Sequence, residues 1–297
     1  LEALFIGHAY IDVTMLTDVM PHGDRRDIAR DYAVSFGGNA VTAAFACAKL
    51  GRKVDLLTTL APDWLGHMFM DMATNYGLRV HGRKVARSSL SFVLPNDGKR
   101  AILRARDENF LEDFPRLDLN SLRLLHVDGH LADAALHYAQ KCRANGVLTS
   151  LDGGDIRHNT LELIDFIDVA VVAEHLCEEM SLSESDMLSY LKTKGCRIGG
   201  VTNGEMGMLW YNEEGEVSRL PALPVPEDKI VDTSGAGDVF HGAYCASYLA
   251  RPDARWLEHF QFANAAAACK VQHLGNEAGL PSEADIRAAL SALPVGV

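Results

Sequence analysis

Residues 230–243 read IVDTSGAGDVFHGA: two acids, Asp232 and Asp238, enclose a Thr-Ser pair and a Gly-Ala-Gly triplet, and an apolar run follows. The run at 239–249 predicts a helix, with Ser234 as its expected N-cap. The first turn of a helix carries unpaired N–H groups and partial positive charge. Small residues there let an anion approach the backbone closely. An acid inside such a cradle would repel its ligand unless a hydroxyl lay between the two. Asp238 then accepts the hydroxyl proton, while the amides of Gly235, Ala236, Gly237 and Asp238 stabilise charge on a migrating phosphoryl group. An Asp in a Gly-rich first turn is also favourable to the helix dipole alone, so local chemistry leaves both readings open. Neither a Walker A loop nor a G-x-G-x-x-G fingerprint after the N-terminal strand is present.

Something must hold that turn in place. Short apolar runs at 4–7, 54–60, 122–127, 147–151, 169–173 and 198–202 read as strands. Between them, 39–50, 131–145, 183–194 and 254–271 read as helices, the first ending at Gly51. Regular alternation of this kind predicts an α/β fold with a mainly parallel central sheet covered on both faces. No internal repeat or long linker interrupts the 297 residues, so one domain is expected.

Two regions break the rhythm. Residues 9–35 contain no good helix, and 89–106 (SLSFVLPNDGKRAILRAR) reads as a hairpin turning at Pro95-Asn96-Asp97-Gly98. Together they are expected to form a small β lid over a site mouth, a surface that also suits a homodimer. Arg100, Arg104 and Arg106 share strand parity and therefore one face. With Lys99, Arg25 and Arg26 they suit an anionic substituent, although charge on an edge strand also blocks aggregation. His130, just beyond the strand at 122–127, sits where ligands gather in open α/β sheets, a position that also suits a surface histidine.

Composition narrows the classes. The net charge of −12 with scattered Lys and Arg offers no basic face for nucleic acid. No apolar run approaches a membrane span. The start LEALFIGHAY lacks the basic region and cleavage site of a signal peptide, so a cytoplasmic protein is expected. Six widely spaced cysteines, none in a C-x-x-C pair, are expected to be reduced and buried.

DTSGAGDVFHGA resembles the C-terminal signature of the ribokinase-like carbohydrate kinases, the PfkB family, in Asp232, Thr233, Gly235, Ala236, Gly237, Asp238, Phe240 and Gly242. FGGNAVTAAFACAKLG (36–51) resembles the family's N-terminal signature. GHAYID (7–12), VTNGEMG (201–207) and NAAAACKVQHLG (264–275) resemble further motifs, all in family order. The resemblance implies a three-layer α/β/α fold with a β lid, transfer of the ATP γ-phosphoryl group to a sugar-like alcohol, and Mg²⁺. It implies Asp238 as base above the 235–238 amides, and Asp12, Gly37, Gly38 and Asn39 around the sugar. Thr202, Gly204, Gly207 and Asn264 would border the nucleotide, and Asp232 and Thr233 fall where many members hold a monovalent cation such as K⁺. Two departures stand out. Ribokinase carries Lys and a later Asn after the Gly pair, where this chain has Asn39 and Thr42. The family's Asn-x-x-Glu motif is replaced by AEHLCE, with Ala173 in the Asn position, which leaves Glu174 or Glu178 to hold the metal through water. The two signature stretches are somewhat closer to the sulfofructose kinase branch than to ribokinase or adenosine kinase. Fructose-like sugars, their phosphates and the sulfonated analogue fit, with a nucleoside kinase or a non-catalytic sugar or nucleotide sensor as alternatives.

Overall fold

The computed structural model describes residues 1–17, 23–24, 26–96 and 99–292, the side chains of 95–100 excepted. Arg25, the turn residues Asp97 and Gly98, and the Lys99 and Arg100 side chains therefore lie outside the described residues. In chain order the strands are β1 (Ala3–Ile6), β2 (Tyr10–Leu16), β3 (Asp31–Gly37), β4 (Val54–Leu60), β5 (Arg79–Lys84), β6 (Ser89–Asn96) and β7 (Lys99–Ala105). They continue as β8 (Leu124–Val127), β9 (Leu148–Gly153), β10 (Val169–Ala173), β11 (Ile198–Thr202), β12 (Met208–Tyr211) and β13 (Val217–Leu220). The large sheet runs β13-β12-β11-β10-β9-β8-β1-β4-β5 and the small one β3-β2-β6-β7.

Strand alternation divides the interior into two cores. Ala3 and Phe5 of β1 point into a core shared with the helices Asn39–Lys49, Ala236–Ala250 and Trp256–Lys270. Leu4 and Ile6 point into a second core beneath the helices Ala132–Ala144 and Glu184–Thr193. Both faces of the central strands are buried, and an unbroken apolar run such as VAVVA in β10 satisfies that requirement. The layers are thus helix, sheet and helix, as the sequence predicts.

The parallel reading holds from β5 to β11, whereas β12 and β13 extend the sheet in the antiparallel sense. A Gly-containing turn joins β11 directly to β12, too short for a crossover helix. Strand β5 and the helix Trp64–Asn75 have no counterpart in the sequence reading. RVHGRK carries too much charge to read as a strand, yet as an edge strand it sets His81 Nε2 2.7 Å from Asp55 Oδ1 of β4. No helix among the described residues is long and apolar enough to cross a membrane. The six cysteines are unpaired, and five of them are buried.

The lid strands register tightly: β2 pairs antiparallel with β3 and parallel with β6, which pairs antiparallel with β7. One rung places Ser35, Asp12, Ser91 and Arg104 side by side, and the next places Val34, Val13, Phe92 and Leu103. Adjacent rungs face opposite ways, so one face of the lid is polar and the other apolar. Phe36 of β3 stacks on Phe45 at 3.6 Å between ring centroids, anchoring the lid to the helix Asn39–Lys49.

The helices Asn39–Lys49 and Ala236–Ala250 meet at Gly242, where an added Cβ would stand 2.3 Å from the Ala43 carbonyl oxygen. The obstacle is backbone, so no rotamer relieves it. We expect Gly242→Ala to lower stability by about 1–3 kcal/mol, the usual cost of overpacking. Thermal unfolding reads the loss; an unchanged melting temperature would show that the helix pair has slack there.

Candidate active site

Gly235, not Ser234, is the N-cap of the helix Ala236–Ala250, with φ 73° in the left-handed region. Its own surroundings demand glycine, since a Cβ would lie 2.3 Å from Asn276 Oδ1. The Ser234 N–H donates to Asp232 Oδ1 at 2.8 Å, and its buried Oγ has no hydrogen-bond partner among the described residues. Val239 N–H donates back to the Gly235 carbonyl at 2.9 Å, and Ala236 N–H makes a long 3.4 Å bond to the Thr233 carbonyl. A Cβ at Gly237 would meet nothing within 4 Å, so the first turn opens onto free space beside the half-buried Asp238.

Asp232, expected from the resemblance beside a monovalent cation, has partners within the chain. It is buried, and its carboxylate and carbonyl take the ammonium of Lys270 at 3.3 and 3.1 Å. Its Oδ2 also accepts the Gly275 N–H at 3.0 Å. A lysine of the chain thus pairs with Asp232, and Thr233 follows in the turn leading to residues 235–238.

Asn276 ties this turn to the lid: its Nδ2 donates to Asp12 Oδ2 at 3.1 Å and to the Phe36 carbonyl at 2.9 Å. Asp12 lies over Gly37, where a Cβ would come within 2.2 Å of the carboxylate. Gly38, with φ 103°, caps the helix Asn39–Lys49 and would otherwise strike the His8 carbonyl at 2.1 Å. The Gly pair thus clears room for Asp12 on one side and for the His8 backbone on the other. Burial raises the Asp12 carboxyl to about 6 against the hydrogen bond from Ser91 and the nearby Arg104. Arg104 is exposed and lies 5.5 Å from the Tyr10 ring centroid. Arg106 turns to Glu108 at 3.2 Å.

Asp128 and Asp152, which the sequence reading missed, stand at the ends of β8 and β9. Asn39 Nδ2 donates to Asp152 Oδ2 at 3.2 Å. Burial, reinforced by the Asp128 charge, raises Asp152 to about 6. Asp128 goes the other way: burial opposes its charge, but His130, Arg157 and the Ala40 N–H hold its carboxyl well below the ordinary range. His130 is buried rather than exposed, with Nδ1 3.2 Å from Asp128 Oδ1. It supports this acid from behind. His8 and His241, desolvated by burial, are lowered to about 3 and stay neutral. The signal available in sequence was position alone, since an acid directly after an apolar strand sits at the sheet's carboxyl edge.

On the far side, Thr202 ends β11 with Oγ1 3.4 Å from the Val172 carbonyl. Gly204 and Gly207 have φ 44° and 84°, and Gly207 packs so tightly that a Cβ would lie 2.1 Å from the Leu220 carbonyl. The Asn264 amide accepts from Leu223 N–H at 3.2 Å and donates to the Pro221 carbonyl at 2.8 Å, fastening that wall to the helix Trp256–Lys270. Glu174 and Glu178 are exposed on the helix Glu174–Glu179; Glu174 accepts from Asn203 Nδ2 at 3.1 Å, and Glu178 lies 3.3 Å from His175 Nδ1. Leu176, in the same helix, is buried against Gly153. Asp155, His175 and Glu179 form a further exposed group whose donor atoms lie within 4.8 Å of one another.

Comparison with known proteins matches the profile of the pfkB family carbohydrate kinases to residues 1–283. A ribokinase from Lactococcus lactis is 24% identical over 98% of each chain. Among solved structures, ribokinase from Arabidopsis thaliana, complexed with ribose and ATP, superposes with a TM-score of 0.82 at 20% identity, covering 98% of this chain and 99% of the other. Ribokinase from Thermotoga maritima gives 0.79 at 21% identity, with the same coverage. These superpositions share the α/β architecture and the small lid sheet.

The raised Asp152 carboxyl sets a direction in pH. Folding favours its protonated form, a stabilisation present below the unfolded value of 3.8 and lost as pH rises through about 6. Asp152→Asn mimics the protonated group. We expect its melting temperature to match the wild type near pH 4 and exceed it above pH 7, reflecting at most about 3 kcal/mol. A constant difference across that range would place the ionisation at its ordinary value.

Proposed function

The chain belongs to the pfkB family of carbohydrate kinases, and from that premise we propose that it transfers the γ-phosphoryl group of ATP to a hydroxyl of a sugar held beneath the lid. One observation carries this reading: a helix start whose first turn faces open space at Gly237, with the half-buried Asp238 as the next residue. A sugar hydroxyl between Asp238 and the incoming phosphate loses its proton to Asp238 as the new P–O bond forms. The 235–238 amides take up charge on the phosphoryl oxygens, and ADP departs. The Arabidopsis complex with ribose and ATP supports the pairing of substrates, and a structural neighbour from E. coli was solved with ATP and Mg²⁺.

In this reading Asp12 accepts and Asn39 donates hydrogen bonds to sugar hydroxyls, with Gly37 and Gly38 giving close backbone approach. Asp152, bonded to Asn39, and Asp128 back this floor. The nucleotide lies along Thr202, Gly204 and Gly207 and the wall that Asn264 secures. Exposed carboxylates suit a hard cation that keeps most of its water, so Glu174 and Glu178 fit Mg²⁺ held through water. Bound there, Mg²⁺ would neutralise phosphate charge.

Arg104 shares a rung with Asp12 and meets no carboxylate at salt-bridge distance among the described residues. It is positioned for a phosphate or sulfonate substituent on the sugar. The lid's other face, with Tyr32 68% and Leu103 74% exposed, suits pairing with a second copy.

Asp238→Asn should keep the fold and ATP affinity while cutting turnover by about 10²–10⁴, the worth of general-base help. Near-normal turnover would remove Asp238 from the chemistry. Arg104→Ala should raise KM for an anionic sugar by about tenfold or more and leave a neutral analogue within about twofold. Equal effects would detach Arg104 from substrate charge. An ADP-release screen over neutral sugars, sugar phosphates, a sulfosugar and nucleosides identifies the acceptor; turnover of nucleosides alone would redirect the assignment.

A further inference from the structure

Lys270 closes the helix Trp256–Lys270 and is fully buried. Its Nζ lies 3.1 Å from the Asp232 carbonyl, 3.3 Å from Asp232 Oδ2 and 3.5 Å from the His273 carbonyl. The stem is encased as closely as the head: a Cβ on Gly279 would stand 3.0 Å from Lys270 Cε and Cγ. An ammonium taken out of water is costly unless paired and hydrogen-bonded. This one is met by a carboxylate and by main-chain carbonyls, the oxygen set that strips and replaces the hydration shell of a monovalent cation.

What surrounds the ammonium is connected to the chemistry on both sides. Asp232 Oδ1 accepts from Ser234 N–H at 2.8 Å, and Ser234 leads directly into Gly235. Asp232 Oδ2 accepts from Gly275 N–H at 3.0 Å, and the next residue, Asn276, reaches both Gly235 and Asp12. One buried charge thus fixes the entry to the anion cradle and the link to the lid.

We propose that Lys270 is a resident, covalently tethered monovalent cation: its ammonium positions the turn at 232–235, so that phosphoryl transfer needs neither K⁺ nor NH₄⁺ from solution. Lys270 is a positioning residue, acting through Asp232. The inference rests on the kinase reading of the cradle. It predicts what that reading leaves open, namely the response to monovalent cations.

Wild type, Lys270→Ala and Lys270→Met are compared in tetramethylammonium buffer with and without about 100 mM K⁺ or NH₄⁺, reading ADP release, binding of a non-hydrolysable ATP analogue and thermal melting. Wild-type turnover should change by less than about twofold, while Lys270→Ala should lose about 10²-fold and recover at least about tenfold when either cation fills the vacated space. Lys270→Met fills that space with apolar atoms and should stay low in every salt. Stimulation of the wild type beyond about fivefold by K⁺, or a folded Lys270→Ala that neither cation restores, overturns the proposal. If Lys270→Ala does not fold, the wild-type response decides alone. If wild type phosphorylates no acceptor, the kinase reading fails separately, and the cation response of analogue binding still decides the role of Lys270.

Discussion

A helix cannot satisfy its own first N–H groups, and the architecture is organised around where that deficit is left. At residues 235–238 the chain leaves a helix start unburdened by side chains, with one glycine forced by Asn276 and another facing open space. At some other helices a side chain closes the same deficit. Ser282 and Asp285 cap each other's backbone at the start of the last helix, and Asp63 caps the helix Trp64–Asn75 through Gly66 N–H. The start at 235–238 carries no such side-chain cap.

A buried charge pair adjoins that turn. Asp232 and Lys270 form a buried pair whose hydrogen bonds run into both the cradle and the 275–276 turn. Buried pairs of this kind contribute little net stability but forbid alternative arrangements when either partner would be left alone. Asn276 then reaches Asp12, so the turn at 232–235 and the inner face of the lid share one hydrogen-bonded frame.

The carboxylates around the floor are tuned apart. Asp12 and Asp152 are raised by burial to about 6, whereas Asp128 is held low by His130 and Arg157. Beneath them His241, Tyr244, Ser150 and His126 form a buried hydrogen-bonded chain, with His241 and His126 lowered to about 3. Neutral imidazoles beside Asp152 provide polarity without adding positive charge.

The order of layers, the lid sheet and the glycine-rich helix start were legible in the sequence, because each follows a local rule: apolar runs of strand length, helical periodicity, and a backbone that only small residues permit. It also carried Asp12 and the Gly pair, whose family motifs span a few residues each. Tertiary structure alone decided the rest. Asp152 joins Asn39 across 113 positions and Asn276 joins Asp12 across 264, separations over which no periodicity speaks. Nothing in the sequence singles out Lys270, which the fold buries against Asp232, and His130, at a strand end that suits a ligand or a surface histidine, is buried. Burial and partnership set the charge of these groups, and both are properties of how the layers close on one another.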